Sequence, residues 1–202
     1  MNDPTRARLV SEGRKLFAEK GFSGASVREI TGAANANLGA ITYHFGSKLA
    51  LYHAILEEAF TDLATRTEAA AHAAANPEER IEAIVRAFFA FFAAWPEAPR
   101  LVIREVAGGD APPRPVIPLM RRNLVAITHV VEAGRAAGRF RAVDPLLVTF
   151  SIISQSIWFA VIGEHLPVVS GMQLEPETLT GAVERHISEM VLRAIAVEGS
   201  PP

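Results

Sequence analysis

The chain contains no cysteine, and this absence excludes several kinds of site at once. Disulfide frameworks, thiolate metal sites and cysteine nucleophiles all need a residue that the chain does not have. A chain without disulfides fits a reducing compartment, most simply the cytoplasm. The residues up to Lys20 are polar and charged and include no apolar stretch of the kind found in signal peptides. We therefore expect a cytoplasmic protein.

Long uninterrupted apolar runs are also missing. The most apolar window, Leu146–Leu166, is interrupted by Ser151, Ser154, Gln155 and Ser156. A buried core helix explains such a window better than a membrane span does. We expect no membrane partner.

The common catalytic motifs are absent as well. The sequence contains no HExxH, P-loop, GxSxG or paired-carboxylate pattern, and its six histidines show no metal-ligand spacing. His53 and Glu57 stand at i and i+4 and could share a metal ion, but an exposed pair on one helix is the commoner meaning. The sequence therefore predicts no enzyme, no catalytic residue, no cofactor and no metal site.

Charge is distributed unevenly along the chain. The net charge is only −2, yet the residues up to Lys48 include seven basic and four acidic side chains. The N-terminal part is therefore mildly basic and the remainder acidic. This pattern favours a protein that contacts phosphates with one end.

The stretch from Ser26 to Lys48, SVREITGAANANLGAITYHFGSK, has the signals of two short helices and the start of a third. Ser26 and Glu29 form a capping-box pattern, which predicts a helix over 26–34. Asn35 tolerates the left-handed backbone of a sharp turn, and Asn37 is a suitable N-cap, so the turn should be about three residues long. This is the length of a helix-turn-helix connection.

The second of these helices is predicted over 37–45, with Leu38, Ile41 and Phe45 facing inward. That arrangement leaves five residues for an outer surface that suits a duplex groove, namely Gly39, Ala40, Thr42, Tyr43 and His44. Gly46 ends the helix and Ser47 caps the next one. Lys48 would oppose the dipole of that third helix, so we expect it to contact an anion outside the fold.

The same residues carry a family resemblance. The pattern AxAxxxAITYHFGSKxxLY, read from Ala34 to Tyr52, and the preceding KLFAEKGFSGASVREI resemble the DNA-binding signature of the TetR/AcrR transcriptional regulators. Asn35 replaces the usual turn glycine, and Thr31 and Gly32 also depart from the pattern. The resemblance implies operator DNA as partner, with contacts from Ser26, Arg28, Asn37, Leu38, Gly39, Ala40, Thr42, Tyr43, His44 and Lys48.

Start and stop signals along the rest of the chain predict nine helices and no strand, an all-α fold. We expect a DNA-binding domain over 1–48 and an effector-binding and dimerisation domain over 49–202. The predicted helices are 4–21, 26–34, 37–45, 47–66, 77–95, 101–107, 116–137, 145–162 and 175–197.

The resemblance also implies a homodimer and a small-molecule site. Plain core packing is the alternative meaning of every residue in both sets. The expected effector-binding residues are Phe88, Phe92, Arg104, His129, Gln155, Trp158 and Phe159. The expected dimer seam comprises Phe150, Ile153, Ile157, Val161, Ile187, Met190, Val191 and Ala194.

The function implied is a ligand-responsive regulator, a repressor released from a palindromic operator by a small, largely apolar or aromatic effector. The segment LVIREVAGG…PPRPVIPLM is weakly similar to one subgroup of drug-response repressors, which does not specify an effector. The alternative from another class is an all-helical ligand-binding or enzymatic module whose N-terminal helices serve only as scaffold.

Overall fold

A computed structural model describes residues 3–107, 112–163, 165–171 and 176–197, and within them the fold is helical. The only β-type pairing in these ranges is an isolated bridge between Phe140 and Ala196. The helices are α1 (Pro4–Gly24), α2 (Val27–Ala33), α3 (Ala40–Phe45), α4 (Lys48–Ala71), α5 (Pro77–Ala94), α6 (Ala98–Ala107), α7 (Ile117–Ala136), α8 (Pro145–Ile162), α9 (Leu166–Ser170) and α10 (Pro176–Ile195). The all-α prediction is confirmed.

Side-chain caps mark several of the predicted helix starts. The Asp3 carboxylate accepts the Thr5 N–H at the start of α1, and Asp144 does the same for Leu146 at the start of α8. Asn76 caps α5 by accepting the Glu79 N–H. Each of these side chains satisfies a donor that the first helical turn leaves without a partner.

Helix α1 is interrupted at Gly21, whose φ of +74° and ψ of 172° are not helical, so the predicted stop at this glycine is confirmed; a last short helical stretch continues to Gly24. Two other features differ from the prediction. Helix α4 extends to Ala71. The connection before the last helix contains the five-residue helix α9, which raises the number of described helices from the predicted nine to ten. The predicted stop at Gly108–Gly109 and the predicted start at Glu175 lie outside the described residues.

The turn between α2 and α3 is also longer than predicted. Helix α3 begins at Ala40, and its N-cap is Gly39, which provides no side-chain hydrogen bond. Asn37 is therefore not the cap; its carbonyl accepts the Ala40 N–H at 3.0 Å, within the turn. Asn35 adopts the predicted left-handed conformation, with a φ of +48°.

The chain divides into two compact units, Met1–Thr61 with Trp95–Leu119, and Asp62–Ala94 with Met120–Pro202. In the first unit, α1 packs against α2, α3 and α6. Its centre is an aromatic group in which the rings of Phe17 and Tyr52 meet edge to face at 4.9 Å and Phe22 lies 5.3 Å from Tyr52. The functional boundary at residue 48 stays a prediction.

The second unit is built on α5, α8 and α10, which pack against one another. Helix α10 buries Val183, Ile187, Val191 and Ile195, one residue every fourth position along one face. Helix α5 buries seven apolar side chains, including Phe88 and Phe92, in agreement with its predicted burial.

Helix α8 is more exposed than expected. It is 18 residues long with a mean hydropathy of 1.8, the length and composition of a membrane-crossing helix, and 17% of it is buried. Its buried residues are Thr149, Ile152 and Ser156. The prediction of a buried core helix is therefore wrong for the single chain, because only one narrow face of α8 is covered.

Candidate nucleic-acid interface

Helix α3 presents its polar face and one large aromatic side chain to solvent. Tyr43 is 85% exposed and Leu38, in the preceding turn, is 58% exposed. Gly39 and Thr42 are exposed beside them. Two expectations are wrong here: Leu38 does not face inward, and Ala40, at 5% exposure, is part of the core and not of the outer surface. Leu38 is exposed because α3 begins only after it, whereas Ala40 lies on the buried side of α3 together with Ile41.

Helix α2 holds the neighbouring part of this surface in place through its capping box. The Ser26 hydroxyl accepts the Glu29 N–H at 3.2 Å, and Glu29 Oε2 accepts the Ser26 N–H at 2.9 Å. Lys20 donates to the other Glu29 oxygen at 2.7 Å. The hydrogen bond from Lys20, followed by those from Ser26, lowers the pKa of Glu29 to about 2. The carboxylate therefore stays ionised and keeps α2 capped at neutral pH.

Ser26 and Arg28 are exposed at the start of α2. Arg28 forms no ion pair among the described residues, whereas Lys15 and Lys20 pair with Glu12 and Glu29. The Arg28 guanidinium is thus free to meet an anion at this surface.

Lys48 differs from its prediction. Its ammonium group donates to the carbonyls of Phe22 and Ala25, at 2.8 and 3.0 Å, and lies 4.3 Å from the centre of the Phe22 ring. These are carbonyls at the end of α1, where the last turn has no helical partner for them. Lys48 therefore meets partners inside the fold, which removes the reason for expecting an external anion at this position.

His44 is also turned away from the open surface. Its side chain is largely covered, and Nδ1 lies 3.7 Å from the Asp3 carboxylate. The pKa of Asp3 is lowered, chiefly by the Thr5 N–H and further by the positive charge that His44 can carry. The predicted DNA-contact residues thus fall into two groups. Most are exposed, whereas Ala40, His44 and Lys48 are buried or already have partners within the fold.

Helix α6 is attached to the same unit by two neighbouring charged residues. Arg104 Nε and Nη2 donate to the carbonyls of Ala18 and Glu19 on α1, at 3.0 and 2.8 Å. The Tyr52 hydroxyl on α4 donates to Glu105, and burial, followed by this hydrogen bond, raises the Tyr52 pKa. Arg104 was predicted to orient an effector, but its guanidinium is occupied with α1.

The other predicted effector residues lie in the second unit in quite different surroundings. Phe88 and Phe92 are buried with ring centres 6.0 Å apart, and Phe159 lies 6.3 Å from the His186 ring. His129 is exposed, and the Gln155 amide donates to the carbonyl of Ser151. Trp158 is 57% exposed. Trp158 and His129 are exposed in the single chain, and their role in an effector site stays a prediction.

The predicted dimer seam also separates into two groups. Phe150 and Met190 are exposed, Ala194 is exposed, and Ile153, Ile157 and Val161 are partly exposed. Ile187 and Val191 are buried in the stripe of α10 that faces the chain's own core. Those two predictions are wrong because Ile187 and Val191 share the fourth-residue spacing of Val183, whereas Met190 and Ala194 lie on another face of the helix.

Three buried polar residues of the second unit were not predicted. Thr67 on α4, Asn123 on α7 and Ser156 on α8 are 0%, 6% and 0% exposed. Thr67 Oγ1, Asn123 Oδ1 and Ser156 Oγ have no hydrogen-bond partner among the described residues. A polar residue that falls on an otherwise apolar helix face is the signal that would have identified them. The described residues contain no group of three or more histidines or carboxylates arranged for a metal ion.

Comparison with known proteins gives the same answer for both parts of the chain. Residues 9–55 match the sequence model of the tetR family of bacterial regulatory proteins, and residues 77–191 match that of the tetracyclin repressor-like C-terminal domain. A structure of a tetR-family regulatory protein from Rhodococcus RHA1 has the same fold, with a TM-score of 0.80 at 22% identity, covering 96% of this chain and 98% of that one.

Two curated relatives are regulators. The HTH-type transcriptional repressor NicS of Pseudomonas putida is 25% identical over 199 residues, which cover 96% of this chain and 93% of NicS. The HTH-type transcriptional repressor DhaR of a Mycobacterium species is 43% identical over 60 residues, or 30% of each chain. The family consists of regulators, so the prediction that the chain is not an enzyme is confirmed. The chain belongs to the tetR family and is a DNA-binding transcriptional regulator.

Proposed function

We propose that the chain is a homodimeric repressor that binds a palindromic operator and leaves it when a small molecule occupies the second unit. The observation that carries the DNA-binding surface is the exposure of Tyr43 on a short helix held between two capped neighbours. Tyrosine is enriched at interfaces, because its ring is apolar and its hydroxyl can form a hydrogen bond. A tyrosine hydroxyl next to Thr42 suits phosphate oxygens, and Leu38 suits thymine methyl groups.

The proposed surface comprises the exposed members of the predicted set, Ser26, Arg28, Asn37, Leu38, Gly39, Thr42 and Tyr43. It contains one long cationic side chain, Arg28, and therefore few groups that can read base edges by paired hydrogen bonds. Selectivity would then depend partly on the shape of the DNA.

The test is the affinity for DNA of the chain's own upstream region, measured by fluorescence anisotropy over a range of salt concentrations. Tyr43→Ala should raise the Kd about tenfold, and Arg28→Ala should reduce the salt slope by about 1. Lys15→Ala is the matched control, because Lys15 pairs with Glu12 on α1. Equal affinities of Tyr43→Ala and the wild type would contradict the proposed surface.

Dimerisation through α8 is supported by the apolar side chains that this helix leaves exposed. Leu146, Leu147, Phe150 and Trp158 are all large and all exposed. Apolar patches of this kind mark interfaces between proteins. A two-fold dimer would place the same face of α8 from both copies together and would match a palindromic operator.

The oligomeric state can be measured by analytical ultracentrifugation. Phe150→Glu should convert a dimer into a monomer, because a carboxylate would have to be buried without a partner. Val125→Glu is the control, since Val125 is a similarly exposed apolar residue on α7. A dimer that survives Phe150→Glu but is lost in Val125→Glu would move the interface to α7.

Release by an effector would couple the second unit to DNA through α4, which runs from Lys48 into the second unit at Asp62. Helix α6 is hydrogen-bonded to Tyr52 on α4 and to carbonyls of α1, so it is a second element that can transmit a movement of α4 to α1. Coupling of this kind is reciprocal, so operator DNA must weaken effector binding by the same factor as effector weakens DNA binding. Equal effector affinities with and without operator would contradict this mechanism.

A further inference from the structure

We infer that Thr67, Asn123 and Ser156 form the polar part of a ligand site in the second unit, and that the ligand is an uncharged, largely apolar molecule with a hydrogen-bond donor. The inference rests on the proposed effector response and specifies its chemistry. Buried polar atoms in folded proteins nearly always have partners. Three such atoms on three different helices have no partner among the residues that the structure describes, which indicates that something else supplies the hydrogen bonds.

Thr67 and Asn123 come from helices that touch at the adjoining positions. Arg122, next to Asn123, donates two hydrogen bonds to Glu68, next to Thr67, at 2.9 and 2.7 Å. The ion pair lies at the surface, with about two fifths of each side chain exposed. Successive side chains on a helix point in directions about 100° apart. Thr67 and Asn123, next to this exposed pair, are both buried in the core. Thr67 and Asn123 therefore lie on the inner side of one α4–α7 contact.

Ser156 belongs to the buried face of α8, together with Thr149 and Ile152. The Thr149 hydroxyl lies 3.1 Å from that of Thr128 on α7, so α7 and α8 are in contact at this point. Asn123 is about 7.5 Å along α7 from that contact, and Ser156 is about 10.5 Å along α8. Both residues thus lie within two helical turns of the same contact, each on the buried face of its helix.

The three groups define the class of ligand. None of them carries a charge, so a carboxylate or an ammonium group would be left without compensation in the core. Asn123 Oδ1 can only accept a hydrogen bond, whereas the two hydroxyls can donate or accept. A ligand with an O–H or N–H group on an apolar body would satisfy these three polar atoms. A mostly apolar pocket with a few convergent polar groups is the usual form of a small-molecule site.

The first test compares the thermal stability of two isosteric substitutions in the full chain without DNA. Thr67 and Thr149 are both 0% exposed, but the Thr149 hydroxyl donates to the Pro145 carbonyl and meets Thr128. Thr149→Val should lower the Tm, because it removes made hydrogen bonds and leaves Thr128 without its partner. Thr67→Val should leave the Tm unchanged or raise it. A fall in Tm as large as that of Thr149→Val would overturn the inference, since it would mean that Thr67 already has a structural partner such as water.

The second test uses three probes of equal chain length, 1-octanol, 2-octanone and octanoate, with Tm shift and calorimetry as readouts. The alcohol should raise the Tm most, the ketone less because it cannot donate to Asn123, and octanoate least because it is charged. Thr67→Val and Ser156→Ala should each weaken 1-octanol binding about fivefold, the effect of losing one neutral hydrogen bond. Ser154→Ala, an exposed serine on the same helix, should leave it unchanged.

No shift with any of the three probes, or the largest shift with octanoate, would overturn the inference. Because DNA is absent from both tests, their failure would leave the DNA-binding proposal standing. A chain that binds 1-octanol but never binds DNA would instead contradict the proposed function and leave the ligand site in place.

Discussion

The two units of the molecule differ in how some of their buried polar side chains are bonded. In the first unit, the buried Thr31 hydroxyl donates to the Val27 carbonyl at 2.9 Å, and Lys48 donates to two carbonyls of α1. In the second unit, Thr67, Asn123 and Ser156 each have a buried polar atom with no partner in the described ranges. A surface that must meet DNA in one geometry benefits from a support whose polar groups are held by hydrogen bonds. A unit with unsatisfied polar atoms in its core is suited to accept a molecule that satisfies them.

The largest change in stability should come from overpacking the core of the second unit at Gly134. A Cβ at this position would lie 2.1 Å from the Phe140 ring, which is itself buried. Gly134→Ala should therefore lower the free energy of unfolding by about 3 kcal/mol, through displacement of the ring. Chemical denaturation measures this change. A variant as stable as the wild type would mean that the packing of Phe140 against α7 is loose.

Loss of the Lys48 charge should have the next largest effect, in the first unit. Lys48→Met keeps the apolar stem near Phe22 but removes both hydrogen bonds, and it should cost about 2 kcal/mol of unfolding free energy. Lys15→Met, at an exposed ion pair, should cost less than about 1 kcal/mol. The salt slope of DNA binding should stay unchanged, because Lys48 is not part of the proposed DNA surface. A slope reduced by about 1 would show that Lys48 contacts a phosphate as well.

Gly32 allows a substitution that stabilises the first unit. It lies within α2, and an added Cβ would have no atom within 4 Å. Gly32→Ala should raise the free energy of unfolding by about 1 kcal/mol, because alanine has the higher helix propensity. Gly46→Ala is the contrasting control. Gly46 has a φ of +84°, which a residue with a side chain rarely adopts, so this substitution should lower the free energy of unfolding. Destabilisation by Gly32→Ala would show that α2 meets a neighbour at this point.

The smallest effect concerns pH and the capping box. The pKa of Glu29 is about 2 in the folded chain and near its ordinary value of 4.5 when unfolded. The ionised carboxylate therefore stabilises the fold at pH values above 4.5, and this contribution is lost as the pH falls from 4.5 towards 2. Glu29→Gln should be less stable than the wild type at pH 7, with a difference that shrinks through that range. A difference independent of pH would mean that the charge of Glu29 contributes nothing.

Local signals predicted helix ends and turns in both units. The capping box at Ser26, the turn at Asn35 and the helix stop at Gly46 depend on neighbours a few residues away, and all three are present. Asp144 with Pro145 marks the start of α8 for the same reason. Short-range chemistry of this kind is contained in the sequence itself.

The errors concern contacts between residues that are far apart in the chain. Lys48 meets a carbonyl 26 residues away, and Arg104 one 86 residues away. Neither partner has a recognisable pattern, so both side chains were interpreted as facing outward or into a pocket. The unsatisfied state of Thr67, Asn123 and Ser156 likewise depends on how three helices pack. Residue spacing can show that a polar group lies on an apolar face but cannot show what it meets there.

The central claim is that the surface around Tyr43 places a dimer on one particular DNA sequence. A nuclease protection footprint on DNA upstream of the coding sequence, repeated at several salt concentrations, tests it most directly. We expect one protected segment containing two inverted half-sites one helical turn, or a multiple of it, apart. Protection should weaken as salt increases and should disappear in Tyr43→Ala at the concentration that protects with the wild type. Uniform protection of all fragments, or a footprint that Tyr43→Ala leaves intact, would contradict the account.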